Sequence, residues 1–311
     1  MGRPMRYRAF SAALLCLLLL VRGPAAGGAR NPFGAKGLRF GYSATLLPEA
    51  SRADTQAALE LWGREFVRLS GYDVPYKLIV YDDLETFISA IRSDQVDFIA
   101  LGSLEYLKIR GRVEMEPALI GEKNGKPGDE QVLLVRRDSG IRELDRLRGG
   151  KLTLLQGAGG EIASLWLDNL LAKRGLPAAG RMFGAVKVVP KAQQVILPVF
   201  FRQADACIVG SNAFQTAVEL NPQLGRELVA IETSPVYPIA VTCLRTTLTN
   251  EQKDEFIRMA FRLKDTSSGK QILTLFKVDS MSRGSDRVLD PLSALVKESG
   301  AGKTASRRGP E

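Results

Sequence analysis

The residues best suited to chemistry lie at four places where an apolar run gives way to small or polar residues. These are GYSAT (41–45), LGSLE (101–105), QGAGGE (156–161) and VGSNA (209–213). Each reads as the end of a strand followed by the start of a helix. Ser43, Thr45, Ser103 and Ser211 bring hydroxyl groups, while Gly159 and Gly160 let the backbone approach closely. A helix start aims free N–H groups at negative charge, worth roughly 0.3–1 kcal/mol for each exposed terminus. A small oxyanion is the guest such donors suit. Glu161 has two readings: a first-turn acid complementing the helix dipole, or a carboxylate that binds a ligand's ammonium or hydroxyl. Under the second, a fully charged anion would be repelled unless a cation lay between. Gln131 and Gln156 can both donate and accept. Tyr42, Tyr81 and Tyr106 lie near strand ends, where packing competes with ligand contact.

Composition narrows the classes. The 311-residue chain contains no histidine, which excludes Ser-His-Asp and Cys-His catalysis and histidine-ligated zinc. No metal site and no cofactor are expected. The formal charge of +9 is concentrated near the two ends, not on one element, so nucleic-acid binding is not expected. GAGKT (300–304) lacks the preceding strand and the first glycine of a nucleotide loop. Catalysis is the main rival to binding; Glu161 with Asp205 would be the acid/base candidates, but each has a simpler structural role, and no enzyme activity is expected. Cys207 and Cys243 sit within apolar strand-like runs, predicting two buried free thiols.

These junctions need strands and helices to hold them. Residues 1–28 combine a basic start, an apolar run from Ala9 to Val21 and small residues after it, the pattern of a signal peptide. The run is shorter than the ~20 residues a bilayer span takes, and Cys16 lacks the small residue before it that lipid attachment needs. A linker spans 29–37. Strands and helices then alternate: strand 38–42, helix 55–69 (capped by Ser51 or Asp54 and ended by Gly71), strand 76–81, helix 82–93, strand 96–102. The pattern restarts after 130–137 with strand 151–156, helix 162–173, strand 186–190, helix 193–201, strand 204–210 and helix 211–220. Strand 236–244 and a helix capped by Thr249 or Asn250 follow. Such alternation predicts an α/β fold with a parallel sheet flanked by helices. RSDQVDFIALGS (92–103) echoes FRQADACIVGS (201–211), so either two unrelated buried strands look alike or two lobes share one construction. Two lobes facing each other would bring all four junctions to one cleft, since ligands sit beyond the carboxyl ends of strands in open α/β sheets.

On LRFGYSATLLPEA, YDDLETFISAIRSDQVDFIALGSLEYL, LLVRRDSGIRELDRLRGGKLTLL and FFRQADACIVGSNAF, in that order, the chain resembles the phosphate/phosphite/phosphonate-type binding proteins of ABC transporters. These are type II periplasmic binding proteins, and the likeness runs from Leu38 to about Lys277. It implies two Rossmann-like lobes joined by two crossing strands, at 130–137 and 236–244. Lobe 1 would comprise 38–129 and 241–297, and the hinge strand with lobe 2 would span 130–240, before a disordered tail at 298–311. The resemblance also implies a monomer in the periplasm that encloses a small ligand by hinge closure. Its partner would be an ABC permease and ATPase complex in the inner membrane, or a membrane sensor. Where relatives carry a Ser-Thr-Ser-Gly run, this chain reads GAGGEIAS; where they carry a histidine, Gln193 or Gln194 lies near. The ligand-binding residues expected are Ser43, Thr45, Tyr81, Ser103, Tyr106, Gln131, Gln156, Gly159, Gly160, Glu161, Gln194 and Ser211.

Overall fold

A computed structural model of the chain describes residues 31–47 and 49–307; the signal-peptide reading falls on 1–28, outside them. Eleven strands form two sheets among the described residues. The strands are β1 (Leu38–Ser43), β2 (Tyr76–Tyr81), β3 (Phe98–Gly102), β4 (Met115–Glu122), β5 (Asp129–Arg136), β6 (Lys151–Leu155), β7 (Ala185–Val189), β8 (Ala206–Gly210), β9 (Leu228–Tyr237), β10 (Ala240–Arg245) and β11 (Ser280–Arg283). One sheet runs β11-β4-β10-β3-β1-β2 and the other β9-β5-β8-β6-β7. In each, the echo strand (β3 or β8) lies between a parallel neighbour (β1 or β6) and an antiparallel one (β10 or β5). The two lobes therefore share one construction.

The helices are α1 (Arg52–Ser70), α2 (Leu84–Arg92), α3 (Ser103–Ile109), α4 (Ala158–Lys173), α5 (Ala179–Met182), α6 (Ala192–Phe200), α7 (Ser211–Leu220), α8 (Pro222–Glu227), α9 (Asn250–Arg262), α10 (Ser267–Leu275) and α11 (Asp290–Arg307). Local chemistry sets their ends. Ser51 caps α1 by accepting from the Asp54 N–H, and Gly71 ends it at φ 75°. Asp83 caps α2, and a reciprocal Thr249–Gln252 capping box opens α9.

The chain crosses between sheets at 123–128 and again at 238–239, after β4 and after β9. The segment 236–244 is thus not one strand: it breaks at Pro238, which has no N–H to give a ladder. β4 escaped the sequence reading. It carries Pro117 beside the register shift at Thr242/Cys243, and a bulge is where a strand tolerates proline. Asp97 at the base of β3 accepts two bonds of 2.6 Å from Arg39 and one from Arg245, whereas Asp205 at the base of β8 accepts from the Lys151 N–H.

Two expectations for the C-terminal part are corrected. The stretch to 297 does not simply return to lobe 1: α11 lies against α4 of lobe 2, with Leu292 and Leu295 buried beside Trp166, Leu167 and Leu171. Asn169 Nδ2 donates to the Leu295 carbonyl. Residues 298–307, expected as the start of a disordered tail, continue that helix. The apolar pair at i and i+3 gives α11 a face that only packing can cover. Cys207 and Cys243 are both free and buried, and burial pushes both thiols up from their ordinary range.

Candidate functional site

At three of the four junctions an acid of the chain accepts the local hydroxyl and N–H donors, and it does so differently in the two lobes. At the ends of β1 and β3, Ser43 Oγ donates to Glu105 Oε1 at 3.0 Å and Thr45 Oγ1 donates to Glu105 Oε2 at 2.9 Å. The Gly102 N–H donates to the same Oε2 at 2.8 Å. Glu105 is 9% exposed. Among the described residues no lysine or arginine pairs with it; Lys108, one turn further on, pairs instead with Glu161 of α4 at 3.7 Å. At the end of β8, Ser211 Oγ donates to Asp129 Oδ1 at 2.7 Å, and the Asn212 N–H reaches the same oxygen at 3.2 Å. Burial raises the Asp129 carboxyl above its ordinary range, and these two bonds partly offset that.

The junction between β6 and α4 is built otherwise. Gly157 turns at φ 85°, and α4 begins with no side-chain cap. A Cβ on Gly160 would stand 1.6 Å from the Leu155 carbonyl oxygen, so only glycine fits. Ala158 and Gly160 are buried. The turn abuts lobe 1: a Cβ on Gly102 would lie 3.1 Å from Ala158 Cβ and 3.1 Å from Glu105 Oε2, and one on Gly159 would touch Ile239 at 4.0 Å. The Ile239 carbonyl in turn accepts from the Ser103 N–H at 3.0 Å. The start of α4, the β3–α3 junction and the second crossing therefore meet at one place between the lobes.

Two buried hydroxyls of lobe 1 have no partner: Ser103 Oγ, at this place, and Tyr81 Oη, at the end of β2. Tyr81 is the register partner of Ser43, so both side chains stand on the same face of the sheet. Tyr81 stacks on Phe87 with centroids 4.5 Å apart, and burial raises its pKa, keeping the phenol a donor.

The other expected residues are dispersed. Gln131 is buried in β5 opposite Gly210, with its N–H donated to Ser234 Oγ at 2.8 Å. Gln156 and Gln194 are exposed. Tyr106 packs into the lobe 1 core with its hydroxyl 3.4 Å from Asp286 Oδ1, and Tyr42 packs on Phe276. Glu161 is solvent-exposed in the first turn of α4, the place its helix-dipole reading requires, and it pairs there with Lys108. Glu105, Asp129 and Lys108 were missed. Glu105 had a local signal: it stands three residues after the helix cap, the spacing of a reach-back glutamate. Asp129 had none, because Ser211 is 82 positions away.

The family described as "ABC transporter, phosphonate, periplasmic substrate-binding protein" matches residues 44–289. No curated protein matches the sequence. Among solved structures, the chain is similar to a binding-protein component of an ABC phosphonate transporter from Pseudomonas aeruginosa, at 19% identity and a TM-score of 0.63, covering 86% of this chain and 88% of that one. It is also similar to a Xanthomonas citri protein bound to ATP, at 16% identity and 0.64, over 86% and 98% of the two chains. PhnD1 from Prochlorococcus marinus in complex with methylphosphonate gives 15% identity and 0.63, again over 86% and 98%. At these identities the likeness establishes the fold, the two-lobed type II periplasmic binding architecture.

Proposed function

We propose that this chain, which belongs to the phosphonate-type periplasmic substrate-binding proteins of ABC transporters, captures one small solute between its lobes and delivers it to a membrane permease and its ATPase. The observation that carries the reading is the uncapped, buried start of α4 set against the unpartnered Ser103 hydroxyl of the facing lobe. Buried N–H groups without partners are costly, and an anionic group of a ligand satisfies them. Gly159 and Gly160 give it access to the backbone, and Ser103 donates from lobe 1. The ligand is an oxyanion such as phosphonate, phosphite or phosphate, or a zwitterionic relative. Contacts from both lobes favour the closed state, and the closed protein is the form the permease receives. The export signal at 1–28 puts the protein on the side of the membrane where that encounter takes place.

A thermal-shift panel of phosphate, phosphite, alkylphosphonates, sulfonates and small amines tests this. A ligand at a hundred times its Kd stabilises the folded protein by ~2.7 kcal/mol. If no member of the panel moves the melting temperature, the reading is wrong.

A further inference from the structure

Among the described residues β7 is the last strand of the lobe 2 sheet, with β6 on one side and no strand on the other. Ala185, Val186, Lys187 and Val188 are all exposed. In a strand, the N–H and C=O of one residue turn to the same side, and those of the next residue to the other. The Ala185 N–H donates to the Gly150 carbonyl, and the Val189 carbonyl accepts from the Gln156 N–H. Residues 185, 187 and 189 therefore face β6, and the N–H and C=O groups of Val186 and Val188 lie along the open edge. They form a ladder that another strand can use. The side chains add a pattern to it. Val186 and Val188 are the register partners of Leu152 and Leu154, which are buried in the lobe 2 core. The apolar layer of that face continues to the edge and stops uncovered, with Val186 39% and Val188 57% exposed. Lys187 stands on the opposite face.

The charge around this edge is one-sided. Between Asp168 and Asp205 the sequence holds no acid, but it holds Lys173, Arg174, Arg181, Lys187, Lys191 and Arg202. Lys173, Arg174 and Arg202 pair with acids from other segments. Arg181, Lys187 and Lys191, before, on and after β7, are exposed, and no acid among the described residues pairs with them. A second copy of the chain fits this edge poorly. Symmetric antiparallel pairing of two β7 strands sets Lys187 against Lys187, and like charges directly opposite are destabilising. We infer that β7 receives an extended acidic segment of a protein partner, added as a new edge strand. Main-chain bonds to Val186 and Val188 give the affinity, and alternate side chains give the specificity. Apolar residues of the segment lie beside the two valines. Its acids lie beside Lys187, with Arg181 and Lys191 towards its ends. The inference does not depend on which solute the cleft holds.

The test uses the full chain and three short peptides carrying a neutral fluorophore, read by fluorescence anisotropy. One alternates Val and Glu, one alternates Val and Lys, and the third is the acidic peptide with its backbone amides N-methylated, so that it cannot form the ladder. The acidic peptide is expected to bind at least about tenfold more tightly than the basic one, and the N-methylated peptide not to bind. Lys187→Glu is expected to narrow the acidic preference at least about threefold. Val188→Pro removes an edge N–H at a position where edge strands tolerate proline, and it is expected to abolish binding while circular dichroism stays unchanged. No binding of the acidic peptide overturns the inference. Equal binding of the N-methylated peptide also overturns it, because charge alone then accounts for the contact. So does affinity that neither variant alters. A wild-type dimer in sedimentation velocity that Val188→Pro dissociates assigns the edge to a second copy and overturns it as well. None of these outcomes bears on the solute panel, so the two readings fail separately.

Discussion

In the lobe 1 wall, Glu105 fills the space between Ser43, Thr45 and Gly102, whereas in the lobe 2 wall the first turn of α4 carries no side-chain cap at all. In both walls a strand feeds a helix, but β3 runs beside the antiparallel β10, whereas β6 lies between two parallel neighbours, β7 and β8. Their finish gives them opposite character: one presents a carboxylate, the other backbone N–H groups. The second lobe 2 junction sharpens the contrast. There Asp129, arriving from the crossing, occupies the position that Glu105 takes from within its own helix. Strand-to-helix junctions of one fold class thus differ in finish, and single residues decide which polar groups stand at each.

The largest effect is expected from filling the lobe 2 turn. Gly160→Ala drives a methyl group into the Leu155 carbonyl and is expected to cost about 3 kcal/mol or more, at the upper end of overpacking. Urea denaturation measures it, and a cost within experimental error would mean that the turn has room its geometry denies. Emptying the lobe 1 wall comes next. Glu105→Ala strips the acceptor from three donors, Ser43 and Gly102 among the buried residues, and is expected to cost about 2–3 kcal/mol. A neutral outcome would mean that water serves these donors equally well.

The third comparison is between the two filled junctions. Because burial raises the Asp129 pKa in the folded state, its contribution to stability is fullest below the unfolded value and is lost as pH rises through the folded one. Asp129→Asn is therefore expected to gain on the wild type between pH 4 and pH 7, as read from paired denaturation curves. A difference that stays flat or runs the other way removes the burial argument. The smallest effect belongs to the pair that spans the walls. Lys108 and Glu161 are both largely exposed, so Lys108→Ala is expected to cost less than about 1 kcal/mol and to cost less still in high salt.

Much of this protein is determined by sequence alone, because the relevant forces act over a few residues. Helical spacing of apolar residues, the caps at Ser51 and Thr249, the stop at Gly71 and the glycines before α4 are all local, and they were legible. The echo of β3 in β8 was legible too, since both are buried strands ending in Gly-Ser. Tertiary structure decided the rest. Only folding brings Asp129 to Ser211, sets Lys108 opposite Glu161, lays α11 along α4, and gathers Arg39 and Arg245 around Asp97. These partners are far apart in sequence and have no shared period. No local pattern in the sequence announces such contacts.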